Sequence, residues 1–261
     1  MTLRVGKISV KATTNFNKKL AERARQTINN RIYKAKEEVY IVVKDIIIKA
    51  IEGSRVYKGL NGEFPNLERH DLQAEFGLTD QMAKTALNRM MEILIETIDV
   101  EVGRIQSASG LSSDVNITIS ALDPAKYEDQ LKSGDEFHYY STSKSTIRRK
   151  RKREPKVYHI EWMKWLLEAK MSAIKADIPD IKDYGIRYDL SGVPQGISRS
   201  GRAVMSKALN KIRRFPYQFP VIAIPNPGTK NFIDEIAKSR ELKALIRSKV
   251  RSMMIRILKS R

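Results

Sequence analysis

The chain contains no cysteine, so disulfides, thiolate nucleophiles and thiolate-held metals are all excluded. Histidine is nearly as scarce. His70, His138 and His159 stand far apart, without HExxH or paired-ligand spacing, and each reads as a structural or surface residue. Phosphate-cradling glycine patterns are missing too: there is no GxxxxGK[ST] run, and no GxGxxG follows a strand. "IPDIKDYG" gathers Asp177, Asp180 and Asp183 beside Lys182, but within one turn-rich segment, with no second acidic cluster to complete a nuclease metal site. The residues point away from an enzyme and imply no cofactor. The most apolar run, "VYIVVKDIIIKAI", is broken by Lys44, Asp45 and Lys49 and is too short to span a bilayer. The opening "MTLRVGKISVKATTNFNKKL" lacks the apolar block of a signal peptide. The expectation is a soluble protein made in the cytoplasm, with no membrane partner.

Cations are what the chain has in excess. Lys and Arg total 49 against 30 acids, a net of +19, which favours a polyanion or an acidic protein as partner. The densest block is Arg148, Arg149, Lys150, Arg151, Lys152 and Arg153. Six consecutive charges cannot be buried unpaired, so they form either a solvated loop or contacts to phosphates; the second reading is preferred. Hydrophobic residues at 41% of 261 positions are enough for a substantial core.

Periodicity predicts an α+β fold: a long N-terminal helix and further helices packed on a small antiparallel sheet, with extended loops and a basic C-terminal helix. "LRVGKISVKA" alternates as a strand. From Asn15 to Ala50, Phe16, Leu20, Ala24, Ile28 and Ile32, then Val39, Val42, Val43, Ile46, Ile47 and Ala50, mark one long helix or two collinear pieces. "EGSRVYKGLNGEFP" breaks the pattern. Thr79 is placed to cap a helix through Met82, Ala86, Met90 and Leu94. "TIDVEVGRI" and "SDVNITISAL" suggest an antiparallel hairpin. Trp162 and Trp165 fall at helical spacing and read as core anchors, not as a base-stacking platform. The final segment reads as a helix whose stripe includes Phe232, Ile236, Leu242, Leu245, Ile246, Val250 and Met254, with a slip near Ser239; Thr229 is its expected N-cap. These patterns suggest one domain over 1–240, a basic insert near 141–156, and a basic helical extension over 241–261.

"SRSGRAVM" could bind an anion through backbone N–H groups and Arg199 and Arg202, or its small residues could admit a neighbouring backbone; the second is favoured. Taken in order, "SRVYKGLNGEFP", "QAEFGLTD", "WMKWLLEA", "SRSGRAVM" and "GTKNFI" resemble the neck and tail-completion proteins of tailed bacteriophages, the head-to-tail adaptors between portal and tail. The likeness spans roughly Ser54 to Ile236. The chain departs from it in "IRRKRKREPK", in "RRFPYQFPVIAIPNPGT" and in its long basic C-terminal helix, so connector, tail terminator and another tail-proximal ring all stay open. The resemblance implies a virion structural protein that acts by forming a homo-oligomeric ring around the DNA channel. Its partners would be portal or connector and tail proteins, with non-specific contact to double-stranded DNA. It also implies that Ser198, Arg199, Ser200, Gly201, Arg202, Asn231 and Phe232 form a subunit interface. The alternative is a non-catalytic DNA-binding protein that uses the 148–153 block and the C-terminal helix.

Overall fold

The computed structural model describes residues 1–11, 18–63, 72–103, 112–142, 157–168, 184–188, 194–195, 206–207, 217–218, 221–223 and 225–259. The fold is α+β, with a long N-terminal helix, further packed helices, small antiparallel sheets and a C-terminal helix. Where the sequence suggested one domain with an appended helix, the chain divides into two compact units. Unit 1 gathers Met1–Ile51, Leu94–Pro124 and Ile236–Arg261; unit 2 gathers Glu52–Ile93 and Ala125–Glu235.

Unit 1 is built on a three-stranded antiparallel sheet in the order β1 (Thr2–Lys11), β3 (Ser112–Ser120), β2 (Asp99–Val102). The expected hairpin partners pair as Val100 opposite Ile119, and Leu3 faces the same residue from the other side. Val115, Ile117 and Ile119 are buried while Asn116 between them is exposed, so period-two alternation turns one face of β3 inward. Helix α1 (Lys18–Glu52) is continuous. Its buried stripe is Ile32, Ala35, Val39, Val43, Ile47 and Ile51. Val and Ile each cost a few tenths of a kcal/mol in helix propensity relative to Ala. Burial of each returns about 1.5–3 kcal/mol, so tertiary packing decides the conformation. Earlier in the helix, from Glu22 to Arg31, none of the described side chains is buried, and the half-exposed Ile28 is the nearest approach to the expected apolar face.

The C-terminal segment is two helices, α7 (Phe232–Lys238) and α8 (Arg240–Lys259). The slip in spacing is a real break. The Ser239 hydroxyl accepts from the Leu242 N–H at 3.2 Å and caps α8. α8 packs against β1 and buries Leu242, Ile246, Val250, Met253 and Met254, so it belongs to the body of unit 1. Leu245, expected on that stripe, is 46% exposed, because it sits about 100° around the helix from Ile246.

In unit 2, α2 (Arg55–Leu60) is a short helix inside the glycine-rich stretch expected to be irregular. Ser54 caps it by accepting from the Tyr57 N–H at 3.2 Å. α3 (Leu72–Glu75) leads into α4 (Asp80–Glu96), which Thr79 caps as expected, accepting from Met82 N–H at 3.2 Å. α5 (Pro124–Ser133) and a 3-10 turn over Asp135–Phe137 precede a two-stranded antiparallel ribbon of β4 (Tyr139–Thr142) and β5 (Val157–Ile160). Thr142 lies opposite Val157, so residues 143–156 are the link that closes this ribbon. α6 (Trp162–Glu168) follows, with Trp162, Trp165, Leu166 and Leu167 buried. The remaining sheet centres on β6 (Tyr184–Tyr188), which pairs with β7 (Pro194–Gln195), β8 (Ser206–Lys207) and β9 (Tyr217–Gln218).

Candidate functional site

Residues 198–202 and 148–153 lie outside the described residues. The first segment belongs to the connection between β7 and β8, both partners of β6; the second belongs to the link that closes the β4–β5 ribbon. Asn231 and Phe232 are described, and they lie inside unit 2 and not on its surface, at 2% and 3% exposure. Asn231, not Thr229, is the N-cap of α7. Its Oδ1 accepts from the Asp234 N–H at 2.9 Å, and its Nδ2 donates to the Leu167 carbonyl at 3.4 Å. Thr229 sits two residues too early for this, and its hydroxyl donates instead to the Asn226 carbonyl at 2.6 Å. The helix cap thus also fastens α7 to α6. A buried amide stripped of such partners would cost about 1–3 kcal/mol.

Four of the segments that carry the phage resemblance converge in unit 2. Phe76 of "QAEFGLTD" packs against Trp162 at 5.6 Å and edge-on against Trp165 at 5.3 Å, both from "WMKWLLEA". Asn231 of "GTKNFI" reaches Leu167 of the same helix. Arg55 of "SRVYKGLNGEFP" pairs with Glu235 at 3.7 Å, just past the end of "GTKNFI". The glycines have specific work. Gly62 and Gly77 have φ of +73° and +70° at the ends of α2 and α3. The following residues' N–H groups, of Glu63 and Leu78, return to the Lys58 and Gln73 carbonyls at 3.0 and 2.9 Å, which makes both ends left-handed helix caps. Asn226 to Thr229 forms a turn with Pro227 second and Gly228 third at φ +86°, the type II arrangement.

Titratable groups are few in this nexus. The Tyr139 hydroxyl donates to the Phe76 carbonyl at 2.5 Å, and burial pushes its phenol up to about 12. Burial also raises Tyr57, with Glu52 and Glu63 adding to the effect. For Lys132, burial works against the charge, but the carboxylates of Glu168 and Glu128 outweigh it and the net shift is upward. His138 and His159, remote in sequence, meet on the ribbon with ring centroids 4.7 Å apart, and Tyr140 stacks on His159 at 4.8 Å. The signal that could have found this pair is the β4–β5 register, which sets Tyr140 opposite His159. Among the described residues, no group of three or more His, Asp or Glu side chains is placed to hold a metal ion.

Charge separates the units. Unit 1 has 22 Lys and Arg against 10 Asp and Glu, a net of +12. Unit 2 has 27 against 20, a net of +7. Its link 143–156 holds eight cations and one acid, and so accounts for all of that excess. Unit 1's charge lies mainly on α1 and α8. The same two helices show Tyr33, Ile41, Leu245 and Ile255 to solvent. No family model, curated protein or solved structure matches the chain.

Proposed function

We propose that this chain is a structural subunit of a tailed-phage virion at the head-to-tail junction, in a neck, tail-completion or tail-terminator ring that assembles around the DNA channel. The observation that carries this reading is the convergence of four of the five resemblance segments: they cap helices, turn the chain and fill a core, which is what an assembly module requires of them. Catalysis would ask for converging acids, bases or nucleophiles instead. The described side chains of α1 between Glu22 and Arg31, none of them buried, with Tyr33 and Ile41 further along, supply surface for heterologous contacts to a neighbouring copy or to portal and tail proteins.

The test is quantitative mass spectrometry of nuclease-treated particles washed in high salt. The expected result is a fixed number of copies per particle, as a closed ring requires. A Gly201→Val chain, which adds bulk to the "SRSGRAVM" loop, is expected to stay soluble while finished particles fall in number. Absence of the protein from particles overturns the reading. It would favour the second one, a non-catalytic DNA-binding protein, for which the concentration of charge on the ribbon link and on α8 speaks.

A further inference from the structure

We propose that one face of α8 is a phosphate-binding rail for duplex DNA, formed by Arg240, Lys243, Arg247 and Arg251. These residues fall at steps of three, four and four, so they form a single row along the helix. The row spans eleven residues, about 16 Å at 1.5 Å of rise per residue. Arg240, Arg247 and Arg251 are exposed and Lys243 is half-exposed. None of the four has an ion-pair partner among the described residues. Some cations elsewhere do: Arg89 pairs with Glu92, Lys132 with Glu128 and Glu168, and Lys164 with Glu161. Glu241 is the one acid in α8.

The helix is held rigidly behind this row. The helix packs on β1 with its apolar stripe buried, and Ser239 caps its first turn. The column beside the row carries Ala244 and Ser248, short side chains that let a broad partner approach the helix closely. A regular, single-sign row suits the uniform charge lattice of a duplex, which carries one phosphate per ~1.7 Å of axis. An acidic protein surface would be expected to meet an apolar centre as well. Leu245 and Ile255, ten residues and about 15 Å apart, make no continuous patch. Contacts of this kind position a duplex without reading its bases, so the rail is sequence-neutral. This deepens the assembly reading by naming what unit 1 faces, yet it is tested on purified protein, so the two can fail separately.

The experiment is fluorescence anisotropy of a mixed-sequence 30-base-pair duplex with the full chain, across 50 to 200 mM salt. Four phosphate contacts give a log–log slope near −3.6, so affinity is expected to fall on the order of 100-fold over that range from the rail alone. Neutralising the row (Arg240→Gln, Lys243→Gln, Arg247→Gln, Arg251→Gln) should make the slope shallower by about 3–4. Replacing its three arginines with lysine should leave binding within about twofold, since phosphate accepts lysine as a point charge. That second variant keeps the charge and guards against misfolding, which circular dichroism checks in both. The reference chain carries Lys34→Gln, Lys36→Gln, Lys44→Gln and Lys49→Gln, removing equal charge from α1. Equal loss in the reference chain means diffuse attraction and overturns the rail. So does complete loss of salt dependence on neutralising 148–153 alone, or binding to polyglutamate with no duplex binding at 50 mM salt.

Discussion

Two single side chains hold more than their own position. Thr97, buried at the end of α4, donates its hydroxyl to the Leu94 carbonyl at 2.7 Å and accepts from the Leu122 N–H at 2.8 Å. Leu122 is buried with φ at +52°, a conformation that costs a non-glycine residue roughly 1–2 kcal/mol. Thr97→Val keeps the shape, removes both bonds and leaves a buried N–H unpaired. It should lower the stability of unit 1 by about 1–3 kcal/mol, read as a fall in the urea midpoint. Tyr139 gives a pH signature instead. Its phenol is raised from 10.0 to about 12, so the folded state favours the neutral form. That contribution is complete below pH 10 and is lost as pH rises from 10 through 12. It amounts to roughly 2–3 kcal/mol. Tyr139→Phe cannot ionise; it should be about 1 kcal/mol less stable at pH 9 and decline less steeply from pH 10 to 12. Parallel stability curves for the two chains would contradict the burial argument.

Elements differ in how openly the sequence declares them. α4 was legible because its cap, first-turn acid and apolar face are all local, and Thr79 sits where its position predicts. The pairing of β2 with β3 was legible from alternation in two nearby segments. α2 was hidden because Gly59 lies inside it, and only Gly62, beyond its six residues, ends it. The ribbon of β4 and β5, and with it the meeting of His138 and His159, was hidden because strand pairing is set by register across a long link, which leaves no local periodicity. Of the candidate interface, Asn231 and Phe232 lie buried in unit 2 as an N-cap and a core aromatic, a role that looks, in sequence, like that of any small-polar and aromatic pair. The slip at Ser239 was legible as a slip, and its cause is a cap. Ser239→Ala should therefore cost about 1 kcal/mol and lower the melting temperature by a few degrees. Ser239→Asp, which can cap equally well, should restore it.

At the scale of the molecule, charge is partitioned where composition gave only a sum. Unit 1 carries +12, most of it on α1 and α8, whereas unit 2 without its ribbon link holds 19 cations and 19 acids. If both regions contact a polyanion, the salt slopes of the α8 and 148–153 variants should differ. Thr142 and Val157 are register partners, so the two ends of the link emerge side by side, about 5 Å apart. An Asn-Gly turn is long enough to join them. A chain with Asn-Gly in place of residues 143–156 should therefore fold with an intact unit 2 core and an unchanged near-ultraviolet circular dichroism spectrum. The densest charge in the protein is thus a cassette: evolution, or an experimenter, can splice it out or exchange it without disturbing the scaffold that displays it.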